Sequence, residues 1–149
     1  MTTATVTTDI NIGPFIIPSN GQNMIMNNYA ERNNLVVELV IPEPMSSNSL
    51  ATLQWIHKDT KLTKVILSSI HQLPKNKSVI QKFLKNTKDI EFHFALEGAK
   101  GKGKFFLLNI IKEVAIFSRL KNINSFNNNW LKLYNMTQKK HRFCDFKYL

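Results

Sequence analysis

Three stretches of the chain concentrate β-branched and aromatic residues over lengths too short for a helix. Residues 35–41 (LVVELVI), 64–70 (KVILSSI) and 90–96 (IEFHFAL) are set between turn-forming residues, and each predicts a buried strand. Between them the apolar positions shift to helical spacing. Ile25, Met26, Tyr29 and Ala30 share one face of a helix opening near Gly21 and ending at Asn33 and Asn34. Leu50, Leu53 and Ile56 mark a second helix, and Val79, Ile80, Phe83 and Leu84 form the stripe of a third, with lysines opposite. Residues 104–120 predict a fourth. Ser19 or Asn20 is expected to cap the first helix and Ser46 or Ser47 the second. Pro42 and Pro44 are expected to end the first strand in a loop. The Thr-rich residues 1–12 read as a short strand or a loose arm.

Such alternation predicts a single small α/β domain over residues 1–120. Its sheet is mostly parallel, of about four strands, with helices on both faces and right-handed crossovers. Residues 121–149 change character, from an Asn-rich run to a mixture of aromatic and basic residues, and read as an appended helical or irregular tail. Ligands of such sheets lie outside the carboxyl ends of the strands. The pocket is therefore expected to gather residues 17–23, 43–47, 68–75 and 97–104.

Composition narrows the class. The chain has 149 residues, 43% of them hydrophobic, which is enough for one core and too much for a disordered chain. Its one cysteine, Cys144, excludes an internal disulfide and a cysteine-cluster metal site, and fits a cytoplasmic protein. The most apolar run, residues 105–117, is shorter than the ~20 residues a bilayer span needs and carries Lys112 and Glu113, so no membrane span is expected. The amino end has no secretory signal pattern. A net charge of +10 attracts nucleic acid, anionic lipid or phosphorylated metabolites, and also serves solubility. Only three of the twenty cationic residues are arginine (Arg32, Arg119 and Arg142), so forks for bidentate contacts are scarce.

Within the expected pocket, Gln22 and Asn23 can hold a sugar hydroxyl or carbonyl through paired donors and acceptors, or can simply be solvated. Glu43, Gln72 and Lys75 join them as ligand-binding candidates. On this reading Gln22→Ala removes ligand binding and leaves the melting temperature nearly unchanged. Glu97, at a strand's carboxyl end, is the leading acid or base candidate, with Ser69 and His93 as further catalytic candidates. A salt bridge from Glu97 to a lysine, and a structural role for His93 between Phe92 and Phe94, are the alternatives. Ser19 is a nucleophile or a helix cap. In GAKGKGK, residues 98–104, glycine amides with Lys102 and Lys104 suggest phosphate contacts, or a plain basic loop, since the stretch has no Walker spacing. His57, His71, His93 and His141 have no metal-ligand spacing. No metal or cofactor is expected.

The pieces Ile17-Pro18, Gln22-Asn23, Tyr29, Glu43, Ser69-Ile70, Gln72-Leu73-Pro74-Lys75-Asn76 and His93-Phe94-Ala95-Leu96-Glu97-Gly98 resemble, in order and spacing, the sporadic carbohydrate cluster family. These are small bacterial proteins found among polysaccharide biosynthesis genes. The resemblance runs from Ile17 to about Phe117 and implies a part in making or modifying a surface glycan such as lipopolysaccharide, O-antigen or capsule. It supplies no reaction. The chain departs from that pattern with Asn27-Asn28 in place of an Arg-Asp pair, and with Ser68 in place of a Tyr.

A more distant resemblance is to the catalytic domain of serine recombinases, also a parallel α/β unit. That pattern sets its nucleophile four residues before the Gln and an arginine two residues before the nucleophile. Those positions here are Pro18 and Ile16, and Ser19 stands one residue away. The later Asp-Arg-Leu-x-x-Arg element corresponds at best to the stretch from His71 to Lys75. Phosphoryl transfer to serine needs cationic stabilisation of developing charge, so the resemblance implies kinship of fold without strand exchange.

Three functions fit these observations. One is a protein of surface-glycan biosynthesis with a sugar or nucleotide-sugar ligand. Another is a basic nucleic-acid-binding module using Lys139, Lys140, His141 and Arg142 with Trp130, Tyr134 and Phe143 interleaved. The third is a noncatalytic partner whose aromatic tail closes a homo-oligomer.

Overall fold

The computed structural model describes residues 2–9, 12, 16–44 and 49–122. It falls into two compact units, Met1–Ala115 and Ile116–Leu149, and of the second only helical residues up to 122 are described. The tail residues named above lie outside the described residues.

The strands are β1 (Thr3–Thr8), β2 (Leu39–Glu43), β3 (Lys64–Leu67), β4 (Glu91–Phe94) and β5 (Ala99–Lys102). The helices are α1 (Ser19–Arg32), α2 (Ala51–Thr60), α3 (Lys77–Asn86) and α4 (Lys104–Asn122), with a 3-10 turn at Ile70–Gln72. They build a five-stranded sheet in the order β2-β1-β3-β4-β5, parallel except for β5, which runs antiparallel to β4.

The Thr-rich amino end is the inner strand β1, and every one of its residues is buried. Its alternation divides the sheet. Ala4 and Val6 join Ile41, Val65, Leu67, Phe92 and Phe94 on one face, which packs on Leu53 of α2, Ile80, Phe83 and Leu84 of α3, and Leu107 and Ile110 of α4. On the other face Ile66 meets Met26 and Ala30 of α1. Threonines suit this second face because they are β-branched and compact enough to lie under a single helix.

Several boundaries differ from those predicted. β2 begins at Leu39, Val36 and Val40 are largely exposed, and the strand continues through Pro42, paired with Thr7, to Glu43. An edge strand tolerates a proline because one of its sides needs no ladder donors. The stretch 68–72 leaves the sheet for the 3-10 turn, where Ser69 accepts from the His71 N–H at 3.3 Å.

Helix α1 begins at Ser19 behind Pro18, so Ser19 is its first residue and not its cap; its hydroxyl donates to Asp9 at 3.3 Å. Ser46 and Ser47 lie outside the described residues, and the cap position of α2 is Leu50 in a left-handed conformation, φ 51°.

The largest correction concerns GAKGKGK. It is a strand where a loop was expected: Ala99–Lys102 forms β5, and Gly98 (φ 65°) and Gly103 (φ 95°) supply the left-handed turns at its two ends. Gly101 faces the Phe106 ring so closely that a Cβ there would lie 2.6 Å from it. Gly101→Ala is therefore expected to lower unfolding free energy by about 1–3 kcal/mol through overpacking. Phe106→Leu in the same chain should restore part of that loss in a chemical-denaturation measurement.

Candidate functional site

The parallel strands β1, β2, β3 and β4 end at one edge, and most of the expected site residues are there. Past Val6, which pairs with Leu67, β1 has no residue of β3 beside it. Its backbone groups turn to side chains instead. Gln22 of α1, fully buried, accepts from the Thr8 N–H (2.9 Å) and donates to the carbonyls of Thr8 (2.7 Å) and Ile17 (2.8 Å). Gln72, buried in the 3-10 turn, accepts from the N–H groups of Ser68 (2.6 Å) and Ser69 (3.3 Å). Its amide nitrogen donates to the Val6 carbonyl and the Thr8 hydroxyl, each at 3.3 Å.

Glu43, at the end of β2, is also buried, and its carboxylate accepts from the first-turn N–H groups of α2, Leu53 at 2.7 Å and Thr52 at 3.4 Å. An anion there satisfies helix donors and complements the helix dipole. Among the described residues Glu97 forms no salt bridge with a lysine. It accepts from the Ser69 hydroxyl at 2.6 Å and the Ile70 N–H at 3.2 Å, tying the β4 end to the β3 end.

The side chains assembled here are thus largely occupied by the fold. Ser69 is fully buried and donates to Glu97. The polar groups left over are half-buried Asn23, exposed Lys75, the solvent-facing part of Glu97, and the Ser68 hydroxyl, which is buried with no hydrogen-bond partner. Lys102 and Lys104 are not among them. Lys102 pairs with Glu91 at the start of β4, so β5 carries both lysines toward the opposite edge.

His93 also stands apart from Ser69 and Glu97. Its Nδ1 lies 2.9 Å from the Tyr29 hydroxyl on α1, and its Nε2 lies 2.6 Å from Glu91 Oε1. The Tyr29 and His93 rings meet edge to face, with centroids 5.6 Å apart. Burial pushes the His93 pKa down, with the hydrogen bond and charge of Glu91 opposing and Lys64 and Lys100 assisting. Burial and then the Glu91 charge push Tyr29 up, so it stays a phenol. A neutral imidazole between them accepts from Tyr29 and donates to Glu91, a chain that fastens α1 to β4.

A further concavity, overlooked in the sequence, lies between α2 and α3. Its volume is about 1140 Å³, and Trp55, His57, Lys58, Lys61, Lys82 and Asn86 are among its lining residues. Trp55 one position away from the apolar stripe of α2, with Lys58 and Lys61 close behind it in the chain, was the sequence signal for it. Among the described residues no helix is long and apolar enough to cross a membrane.

A parallel sheet in the order 2-1-3-4 with an antiparallel fifth strand, clasped at its carboxyl edge by side chains from α1 and the β3 turn, makes this a small α/β domain whose fold is similar to that of resolvase catalytic domains. Two solved structures share the fold. The N-terminal catalytic domain of TP901-1 integrase aligns over 80% of this chain and 97% of its own, with TM-score 0.54 and 16% identity. A resolvase family site-specific recombinase from Streptococcus pneumoniae aligns over 95% of this chain and 99% of its own, with TM-score 0.51 and 14% identity. No family model and no curated protein sequence matches the chain.

Two predictions follow from this geometry. Contrary to the expectation from sequence, Gln22→Ala should be a stability mutation. It strands the buried N–H and carbonyl of Thr8, at about 1–3 kcal/mol for each unsatisfied group. The denaturation midpoint should fall and exchange of the Thr8 amide should quicken, whereas an unchanged midpoint would show that the clasp carries no stability.

The second concerns pH. With its folded pKa below the unfolded value of about 6.5, His93 contributes stability that is fully present above about 6.5 and is lost as pH falls through the folded value. His57, lowered by burial with Asp89 opposing, acts in the same direction. Stability of the native chain should therefore decline below about pH 6.5 more steeply than that of His93→Gln.

Proposed function

We propose that this chain is a resolvase-fold protein without strand-exchange chemistry that serves the biosynthesis or modification of a surface glycan. It would bind a polar sugar-type ligand beside the carboxyl edge of its sheet. The observation that supports this reading is the order and spacing of the residues behind the carbohydrate-cluster resemblance, some of which the fold brings into contact. Two of those pairs lie far apart in sequence and bond across the fold, Tyr29 with His93 and Ser69 with Glu97. The departure from recombination is equally local: Pro18, the position that corresponds to the nucleophile, has no hydroxyl, and none of Arg32, Arg119 and Arg142 stands near it in the chain.

On this reading the fold uses Gln22, Gln72, Glu43 and Ser69 as its frame, and ligand contacts fall to Asn23, Lys75 and Glu97. Loss of the gene from the source organism should alter the amount or chain length of its surface polysaccharide on gels. Wild-type protein should restore it, and a doubly substituted Asn23→Ala, Glu97→Gln chain should not. An unaltered glycan would refute the reading.

The likeness of fold to site-specific recombinases and the net charge of +10 favour a second reading, a nucleic-acid-binding module without recombinase activity. Binding to duplex DNA whose affinity falls steeply and log-linearly with salt would support it.

A further inference from the structure

The groove between α2 and α3 shares no residue with the carboxyl-edge site, and its make-up is unlike that of an ordinary solvated cleft. Its volume of about 1140 Å³ exceeds what an inorganic anion needs and is on the scale of small-molecule sites. Lys58, Lys61 and Lys82 face one carboxylate, Asp89, among its lining residues, which leaves the groove cationic. Trp55 lines it with 67% of its surface exposed, a large flat apolar face left in water. Across the groove the Asn86 amide donates to Gln54 at 2.8 Å, and Gln54 in turn donates to the Ser49 carbonyl at 2.7 Å, so the two helices are held at a set spacing. His57 also lines the groove, its Nδ1 buried with no hydrogen-bond partner among the described residues.

We propose that this groove binds a nucleoside diphosphate-type ligand, its base stacked on Trp55 and its phosphates met by Lys58, Lys61 and Lys82. Indole stacks on any flat π-face, and ammonium groups meet phosphate as mobile point charges. A single-stranded nucleic acid would want a continuous basic track with several aromatic platforms. The groove offers one indole and a compact group of lysines, which suits one base and one short phosphate chain.

The chain has two tryptophans, so in the full-length Trp130→Phe protein Trp55 is the sole indole reporter. Titration with UDP and ADP should quench its fluorescence saturably. Lys58→Glu and Lys82→Glu should each weaken that binding about tenfold or more. In the otherwise native chain, Trp55→Ala should abolish the thermal stabilisation these nucleotides give while leaving the far-ultraviolet dichroism spectrum unchanged. Pyrophosphate alone should bind more weakly and leave the fluorescence unmoved. Asn23→Ala and Glu97→Gln should leave the quench intact, which separates this site from the carboxyl-edge one. Absence of saturable quenching, equal binding of pyrophosphate, or a preference for single-stranded DNA that grows with its length would overturn the proposal.

Discussion

The interior position of β1 imposes the constraint on which the architecture turns. Its backbone runs on to Thr8 after β3 has left the sheet, and unpaired N–H and carbonyl groups at that depth are costly. Two primary amides resolve the problem, because each carries a donor and an acceptor on one rigid plane, the same pairing that a strand would offer. Gln22 reaches in from α1 and Gln72 from the turn after β3. Each also bonds backbone of its own neighbourhood, so the strand end, the helix start and the turn are held as one unit. Any pocket at this edge inherits its rigidity from those two side chains.

The same logic runs across the rest of the edge. Glu43 closes the first turn of α2, and Glu97 closes the turn after β3, each a carboxylate placed where backbone N–H groups would otherwise point at nothing. Tyr29, His93 and Glu91 do a comparable service on the α1 face, where among the described residues α1 covers a surface that includes threonines. Polar residues that look like chemistry in a list of motifs are here the fastenings between elements. The polar side chains left in contact with solvent are less conspicuous in sequence: half-buried Asn23 at the carboxyl edge, and the lysines and indole that line the α2–α3 groove.

Much of the architecture was legible because periodicity reports burial. The stripes Ile80, Phe83, Leu84 and Met26, Ala30 lie buried as their spacing requires, and β3 and β4 fall inside the predicted runs. β5 escaped because its Ala-Lys-Gly-Lys carries no apolar alternation; it is a strand through pairing with β4 and through the glycines that turn the chain at either end. The first strand was obscured by its threonines, whose hydroxyls read as surface until the sheet shows both neighbours of β1. Among site residues, Glu97 and Ser69 were rightly placed at one edge, since both follow strands directly. His93 was misjoined to them because a sequence gives the order of residues along β4 but not which helix lies over its second face.

What the sequence by itself determined is therefore the succession of strands and helices, the parallel plan and the edge where loops collect, all of which follow from hydrophobic spacing and turn residues close together in the chain. Tertiary structure alone decided which polar groups are spent on the fold and which remain open. That division rests on contacts between residues as distant as Val6 and Gln72 or Tyr29 and His93, and a side-chain amide or imidazole looks the same in sequence whether it faces a backbone carbonyl or a ligand.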